Sequence, residues 1–177
     1  MERLDEMLIV VAGPGDAAEL ARVHVTAWRE TYAGILPDAY LAQMNVHLYA
    51  RRWRHQLMAA KPPEVVLAAE GRQGLVGYCA GQARPDGSSE VSTLYVIKAA
   101  QQFGLGRRLL AASASVLHAR GARTLSLWVL DGNEGARGFY EHLGGVAIAD
   151  RPVRGWGGGF RETAIHWRDI EQLTHAG

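Results

Sequence analysis

Residues 91–106, VSTLYVIKAAQQFGLG, decide the fold, because an apolar strand runs there through a short linker into a glycine turn. The turn opens a helix whose apolar stripe comprises Leu105, Leu109, Ala112 and Val116. Glycines at this point let the backbone approach a ligand closely, because they carry no Cβ. Free N–H groups and the positive end of the helix dipole favour an anion there. The turn is therefore predicted to hold a phosphate or pyrophosphate, although a simple tight turn into a helix would have the same pattern.

The turn lacks the marks of the two commonest nucleotide-binding loops. A dinucleotide-binding loop needs a small residue three positions after Gly106, and Leu109 stands there. A P-loop needs Gly-Lys-Ser/Thr, which the sequence does not contain. Arg107 and Arg108 add positive charge beside the turn. The pattern indicates an anion site of another kind.

Upstream of this stretch, a strand and two helical regions are predicted, followed by antiparallel strands. A strand at 7–11 leads into a turn whose Asp16 is expected to cap the next helix. Apolar spacing predicts helices over 17–32 and from 36 to about 60. Strand-forming runs follow at 65–69, 75–83 and 90–98. Their short spacers predict hairpins.

Downstream, helices and strands alternate once more before a final hairpin. The pattern predicts a helix over 104–120, a strand over 124–130 and a short helix over 133–143. Segments 146–149 and 163–167 are predicted to pair, and their glycine-rich connection at 154–160 is too irregular for a regular element. The order predicts a mixed α/β layout around one sheet.

Length and composition predict one ordinary domain spanning residues 1–177. Hydrophobic residues make up 48% and charged residues 21%, which is typical of a globular protein that buries a core. The formal net charge of +1 gives no overall field that favours nucleic acid or an anionic membrane. A single cysteine and no apolar run near the ~20 residues of a membrane span predict a cytoplasmic protein. The seven histidines show no metal-like spacing, so no metal is expected.

Two motifs together resemble the GCN5-related N-acetyltransferase (GNAT) superfamily. The family's cofactor motif, Gln/Arg-x-x-Gly-x-Gly/Ala after a strand, is matched by QQFGLG at 101–106. Its second motif, a strand followed by Asn-x-x-Ala-x-x-x-Tyr, is matched by Asn133, Ala136 and Tyr140. The family usually continues with Gly-Phe after the tyrosine, and this chain has Gly145 in place of the aromatic residue.

The resemblance implies a mixed α/β fold in which helices flank a central, mostly antiparallel sheet that splays at the cofactor strand. It also implies acetyl-CoA as the acyl donor, lying where the strand of Leu94 separates from the strand at 124–130. The main chain of Leu94 and Val96 would pair with the pantetheine arm as an added strand does. The expected cofactor contacts are Leu94, Tyr95, Val96, Gln101, Gln102, Phe103, Gly104, Leu105, Gly106, Arg107, Arg108, Asn133, Ala136 and Tyr140.

The implied reaction is the attack of a primary amine on a thioester. An alkylamine with a pKa near ~10 must lose a proton, and the departing thiolate, near ~8.5, must gain one. Tyr140 is the candidate acid, with a packing aromatic on a short amphipathic helix as the alternative. Glu90 is the candidate base, since several family members carry a glutamate at this place, with a solvated charge at a strand start as the alternative. Period-two alternation is expected to place Glu90, Ser92, Leu94 and Val96 on one face.

The acceptor site is less well marked in the sequence. Trp28 and Tyr32 are expected to line it, because the first helices flank the acceptor in this family, although both also fit helical core spacing. The acceptor is expected to be a small-molecule or peptide amine, and the resemblance also allows a homodimer. Cys79 is expected to be a small buried hydrophobe.

Two other interpretations stay open at this point. The first is an acyl-CoA-binding or sensing module without catalysis on the same fold, which would have no need of Tyr140. The second is an interaction domain that binds no cofactor, in which the paired motifs would be accidental.

Overall fold

One sheet and six helices make up the described part of the chain, which comprises residues 7–59, 64–101, 103–153 and 159–175 of the computed structural model. The strands are β1 (Leu8–Val11), β2 (Glu64–Gly71), β3 (Gly74–Ala83), β4 (Ser89–Val96), β5 (Leu125–Leu130), β6 (Val146–Pro152) and β7 (Arg161–Trp167). The helices are α1 (Ala17–Thr31), α2 (Asp38–Gln43), α3 (Val46–Ala59), α4 (Leu105–Ala119), α5 (Glu134–His142) and α6 (Glu171–Thr174). Short 3-10 turns at Pro14–Asp16 and Lys98–Ala100 precede α1 and α4.

The strands lie in the order β1-β2-β3-β4-β5-β7-β6. Neighbours pair antiparallel, except β4 and β5, which are parallel. Among the described residues, β4 and β5 meet at one register position, Glu90 opposite Ser126, and then separate. The result is a wedge with its apex at these two residues and its mouth toward Val96 and Leu130. The predicted mixed α/β fold, with a mostly antiparallel sheet splayed at the strand of Leu94, is confirmed.

Helices cover the sheet on both faces. On the α4 face, the buried cluster includes Leu109, Leu117, Leu125, Leu127 and Ile165. On the opposite, α1 face, α1 and α3 contribute Leu20, Val23 and Trp53 to a cluster that also includes Tyr78 and Ala80. A third cluster, at the end of α1, joins Trp28, Tyr32, Leu36, Leu41, Met44 and Leu130. Since Leu125 and Leu127 point to the α4 face, strand alternation directs Ser126 and Trp128 to the α1 face.

The second helical region is divided, which the apolar spacing did not predict. α2 ends at Gln43, and Met44 has an extended backbone with ψ of 120°. Arg29 holds this end by donating to the carbonyls of Leu41 and Met44, at 3.2 and 3.0 Å. Asn45 then accepts a hydrogen bond from the Leu48 N–H at 3.1 Å and begins α3. Polar contacts with α1 outweigh the continuous apolar periodicity here.

Asp16 does not cap α1 through its side chain, so that prediction is wrong. Its carboxylate accepts a hydrogen bond from the N–H of Gly13 at 2.8 Å. The side chain therefore closes the preceding 3-10 turn. α1 simply continues from that turn, since Asp16 itself has helical dihedral angles.

Cys79 lies in β3 with no exposed surface, which confirms that it is a small buried hydrophobe. Burial raises the pKa of its thiol to about 12. A thiol in that state is a poor nucleophile. Within the described ranges, no helix is long and apolar enough to cross a bilayer.

Candidate active site

A cavity of about 600 Å³ fills the wedge between β4 and β5. It passes through the sheet, because its lining comes from the end of α1 on one face and from α4 and α5 on the other. The residues with side chains or backbone along it include Glu30, Thr31, Tyr32, Ser92, Thr93, Leu94, Tyr95, Val96, Lys98, Gln101, Gly104, Leu105, Gly106, Arg107, Trp128, Asn133, Ala136 and Tyr140. The structure thus brings most of the predicted cofactor residues together at one opening in the sheet.

The backbone of β4 faces this cavity at alternate residues. The N–H of Ile97 donates to Val76 in β3 at 3.0 Å, so the main chain of Ile97 points at β3. By strand alternation Tyr95 does the same, whereas Leu94 and Val96 direct their N–H and C=O groups into the wedge. The carbonyl of Val96 accepts a hydrogen bond from Gln101 Nε2 at 2.8 Å. The motif glutamine therefore ties the turn to the strand with its side chain.

The glycine turn has the backbone that the sequence pattern requires. Gly104 has a φ of +75°, in the left-handed region that residues with a Cβ rarely adopt. Its carbonyl accepts the first helical hydrogen bond of α4, from Arg108 at 3.0 Å. Gly106 lines the cavity one position into α4. The start of this 15-residue helix lines the cavity through Gly104, Leu105 and Gly106. The first N–H groups of a helix have no partner within it and carry the positive end of its dipole, so they suit an anion at this place.

The predicted contacts on this turn do not all reach the cavity. Arg107 is exposed and lines it, but the guanidinium of Arg108 donates to the Met7 carbonyl at 3.2 Å and is directed toward β1. Leu105 lines the cavity and is also buried in the core of the α4 face. Phe103 is not among the described lining residues, and Gln102 lies outside the described residues. Of the two adjacent arginines, therefore, Arg107 lines this opening and Arg108 is directed away from it.

Asn133 is the N-cap of α5 and also lines the cavity. Its Oδ1 accepts a hydrogen bond from the N–H of Ala136 at 3.2 Å and so caps α5. Burial raises the pKa of Tyr32, while hydrogen bonds from Tyr95 and Asn133 to its hydroxyl act in the opposite direction. The second motif is thereby linked to α1 across the mouth of the wedge.

Tyr140 lies on α5 beside the cavity, with 8% of its surface exposed. Its ring packs edge-on against Phe139 and Trp167, with centroids 5.1 and 6.1 Å away. Burial raises the pKa of the phenol above its ordinary value, and the thiol of Cys79 adds to the effect. Tyr140 therefore stays protonated in neutral solution and can donate a hydrogen bond into the cavity.

The predicted common face of Glu90, Ser92, Leu94 and Val96 is wrong, because β4 contains a bulge. Val91 pairs with Gly81 and Thr93 with Ala80, so Ser92 is the extra residue. After the bulge, Leu94 and Val96 point to the α4 face, whereas Glu90 points to the α1 face. Glu90 is not among the described lining of the cavity; its carboxylate forms an ion pair with Arg84 at 2.5 Å, at the apex of the wedge.

Of the two aromatic residues predicted for the acceptor site, the structure places one along the cavity. Tyr32 lines the cavity, whereas Trp28 packs in the third cluster and is not among the described lining residues. Sequence reasoning missed Glu30, which accepts a hydrogen bond from the Lys98 N–H at 2.7 Å and joins α1 to the linker before the turn. It also missed Trp128, which has the guanidinium of Arg151 3.6 Å above its ring. No local pattern marks these contacts, because each joins segments far apart in the chain.

In the part of the chain that the structure describes, no group of three or more His, Cys, Asp or Glu side chains is placed to hold a metal ion.

Comparisons with known proteins place this arrangement among acetyltransferases. The model of the Acetyltransferase (GNAT) family matches residues 25–145. The probable N-acetyltransferase Rv2775 of Mycobacterium tuberculosis is 31% identical over 155 residues, covering 83% of this chain and 86% of the relative. The uncharacterized N-acetyltransferase YuaI of Bacillus subtilis is 26% identical over 162 residues, covering 89% and 91%.

Solved structures share the fold at lower identity. The PaiA N-acetyltransferase of Thermoplasma acidophilum, in complex with coenzyme A, aligns with a TM-score of 0.76 at 18% identity, covering 90% of this chain and 97% of its own. YncA of Salmonella typhimurium, with acetyl-CoA, aligns with a TM-score of 0.69 at 21% identity, covering 93% and 94%.

Proposed function

Since the chain belongs to the Acetyltransferase (GNAT) family, we propose that it moves an acetyl group from acetyl-CoA to a primary amine by direct attack. The observation that carries the proposal is the wedge itself. It has a helix start for the pyrophosphate at its mouth, strand backbone along one side and a protonated tyrosine beside it. A closed sheet would offer none of these to an extended thioester.

The proposed donor position follows the polar groups of the wedge. The N–H groups at the start of α4, with Arg107, suit a pyrophosphate. The main chain of Leu94 and Val96 suits the amides of an extended pantetheine arm, as an added strand would. An arm running from the turn along β4 in this way ends near the bulge at Ser92. The thioester would therefore lie close to the apex, where the α1 face and the α4 face are both within reach.

The bond changes then need two proton movements. The neutral amine nitrogen bonds to the thioester carbonyl carbon, the carbon–sulfur bond breaks, and the sulfur leaves with the electron pair. The nitrogen must lose a proton and the thiolate must gain one. Tyr140 is proposed to donate to the departing sulfur. Because burial raises its pKa, a lasting phenolate is unfavourable, so the phenol must then regain a proton from solvent.

Glu90 is proposed to receive the amine proton from the other face. It lies at the apex of the wedge, on the side by which an amine would approach. Its ion pair with Arg84 fixes the carboxylate in place. Trp28 and Tyr32 are proposed to shape this approach, Tyr32 directly and Trp28 by supporting it, since their rings pack edge-on with centroids 4.9 Å apart.

The role of Glu90 can be tested with Glu90→Gln, measured as rate against pH. A base must be deprotonated to act, so the variant should lose the rise in rate with increasing pH on the acid side of the profile. An unchanged acid side of the profile would remove Glu90 from the mechanism.

The function as a whole is tested in two steps. Acetyl-CoA should raise the melting temperature of the protein, because a ligand that binds the folded state stabilises it. Release of free thiol should then increase when amines are supplied. Stabilisation without amine-stimulated thiol release would favour the alternative, a silent acyl-CoA-binding or sensing module. If acetyl-CoA neither raises the melting temperature nor releases thiol, the interaction domain would be favoured.

A further inference from the structure

A second, smaller depression of about 210 Å³ lies on the α1 face, beside the apex of the wedge. We call it the side pocket. Its floor consists of strand residues from β2, β3 and β4, and α3 contributes Gln56 at its rim. Polar side chains dominate its lining: Gln56, Glu64, Gln82, Glu90 and Ser92. The side pocket adjoins the apolar cluster around Tyr78, which contributes Val66 and Ala80 to its lining.

The polar residues on the floor of the side pocket are far apart in the sequence and are brought together by strand register. Glu64 pairs with Gln82, and Gln82 pairs with Glu90, so the three form a row across adjacent strands. Two strand spacings separate the ends of this row, about 10 Å. The row meets the wedge, since Glu90 is also the residue opposite Ser126.

Ser92 connects the side pocket to the main cavity, because it lines both. It is the extra residue of the bulge in β4, and its hydroxyl donates to the Ala80 carbonyl at 3.2 Å. The bulge thus interrupts the strand at the point where the thioester is proposed to end. A chain-like molecule could lie in the side pocket and extend past Ser92 into the wedge.

The described lining of the side pocket includes two carboxylates and no lysine or arginine side chain. The carboxylate of Glu90 is paired with Arg84, whereas no described residue pairs with the carboxylate of Glu64. The guanidinium of Arg120 donates to the backbone carbonyl of Glu64 at 2.9 Å, and no hydrogen bond from Arg120 to the carboxylate is seen among the described residues. The amide oxygens of Gln56 and Gln82 and the hydroxyl of Ser92 add hydrogen-bond acceptors. Such a lining suits an alkylammonium group.

Resting on the proposed function, we infer that the side pocket binds the distal ammonium group of a diamine or polyamine acceptor, with Glu64 as its counterion. The reacting amine lies past Ser92, near the thioester. The spacing of the row selects acceptors in which a chain of several methylene groups separates the two nitrogens. A short diamine cannot place one nitrogen in the wedge and the other at Glu64.

The test uses the full-length protein, acetyl-CoA and three amines in the thiol-release assay. Octamethylenediamine has a distal ammonium, aminooctanol is of similar length with a neutral distal group, and ethylenediamine is too short. We expect the highest kcat/KM for octamethylenediamine. Glu64→Gln should reduce that value about fivefold, as expected for one partly exposed ion pair, and leave aminooctanol unchanged. Glu70→Gln, an exposed glutamate of the same strand, is the matched control and should change neither value.

The outcomes separate this inference from the proposed function. Equal kcat/KM values for all three amines, or an unchanged preference in Glu64→Gln, would contradict the binding of a distal ammonium group in the side pocket. Either result would still support the proposed acetyltransferase activity. No release with any amine would overturn both. If Glu64→Gln does not fold, the salt dependence of KM can be measured on the unaltered protein instead. The KM for octamethylenediamine should rise with sodium chloride more than that for aminooctanol, and an equal response would overturn the inference.

Discussion

The two ends of the wedge are built in different ways. At its mouth, the site is made of backbone from one continuous stretch, in which strand, linker, glycine turn and helix follow each other from residue 91 to 106. At its apex, the polar groups come from β2, β3, β4 and β5 and are aligned by strand register. Backbone recognition of a pyrophosphate or an amide needs few particular side chains. Recognition of an acceptor depends on particular side chains, which other proteins of the same fold need not have.

Replacing Gly106 with leucine should have the largest effect, because it fills the mouth of the wedge. A Cβ at this position would lie 3.6 Å from the Phe139 ring, an ordinary contact, so the helix accepts the substitution. The rest of the leucine side chain then occupies the space that Gly106 lines. We expect the Kd for acetyl-CoA, measured by calorimetry, to rise by on the order of a hundredfold.

The fold should be unaffected in Gly106→Leu, as judged by its melting temperature. Gly138→Leu is the matched control, since Gly138 is a helical glycine of α5 with open space around it, and it should bind acetyl-CoA normally. Gly104 is less suitable for this test, because its φ of +75° makes any substitution strained. Normal affinity in Gly106→Leu would mean that the pyrophosphate lies elsewhere.

Tyr140→Phe should have the next largest effect, and it tests the middle of the wedge. The ring keeps its packing against Trp167, so the melting temperature and the affinity for acetyl-CoA should hardly change. Loss of the donor should lower kcat for thiol release about a hundredfold. A kcat close to that of the unaltered protein would show that Tyr140 is a packing residue.

The same contrast explains what the sequence could predict. The order of elements and the turn around Gly104 follow from periodicity and from local motifs, the wedge follows from what the family resemblance implies, and the structure agrees with all three. The bulge at Ser92 does not follow, because nothing in VSTLYV marks which residue loses its partner. That single residue reverses the face of Glu90 relative to Leu94. The division between α2 and α3 was missed for a similar reason, since Arg29 stabilises it from a different helix.

The smallest expected effect is that of replacing Asn133, which caps α5 and also contacts Tyr32 at the end of α1. Asn133→Ala removes the cap of α5 and should lower the free energy of unfolding by about 1 kcal/mol. In a chain of this size that corresponds to a fall of roughly 2–4 °C in melting temperature. Asn133→Asp keeps an oxygen for the Ala136 N–H and should retain most of the stability, but it lacks the amide donor directed at Tyr32.

If the Asp variant is stable yet slow in thiol release, Asn133 acts at the site as well as in the cap. If it is both stable and fully active, the motif asparagine is a helix cap alone, and the link between α5 and α1 contributes nothing to the reaction.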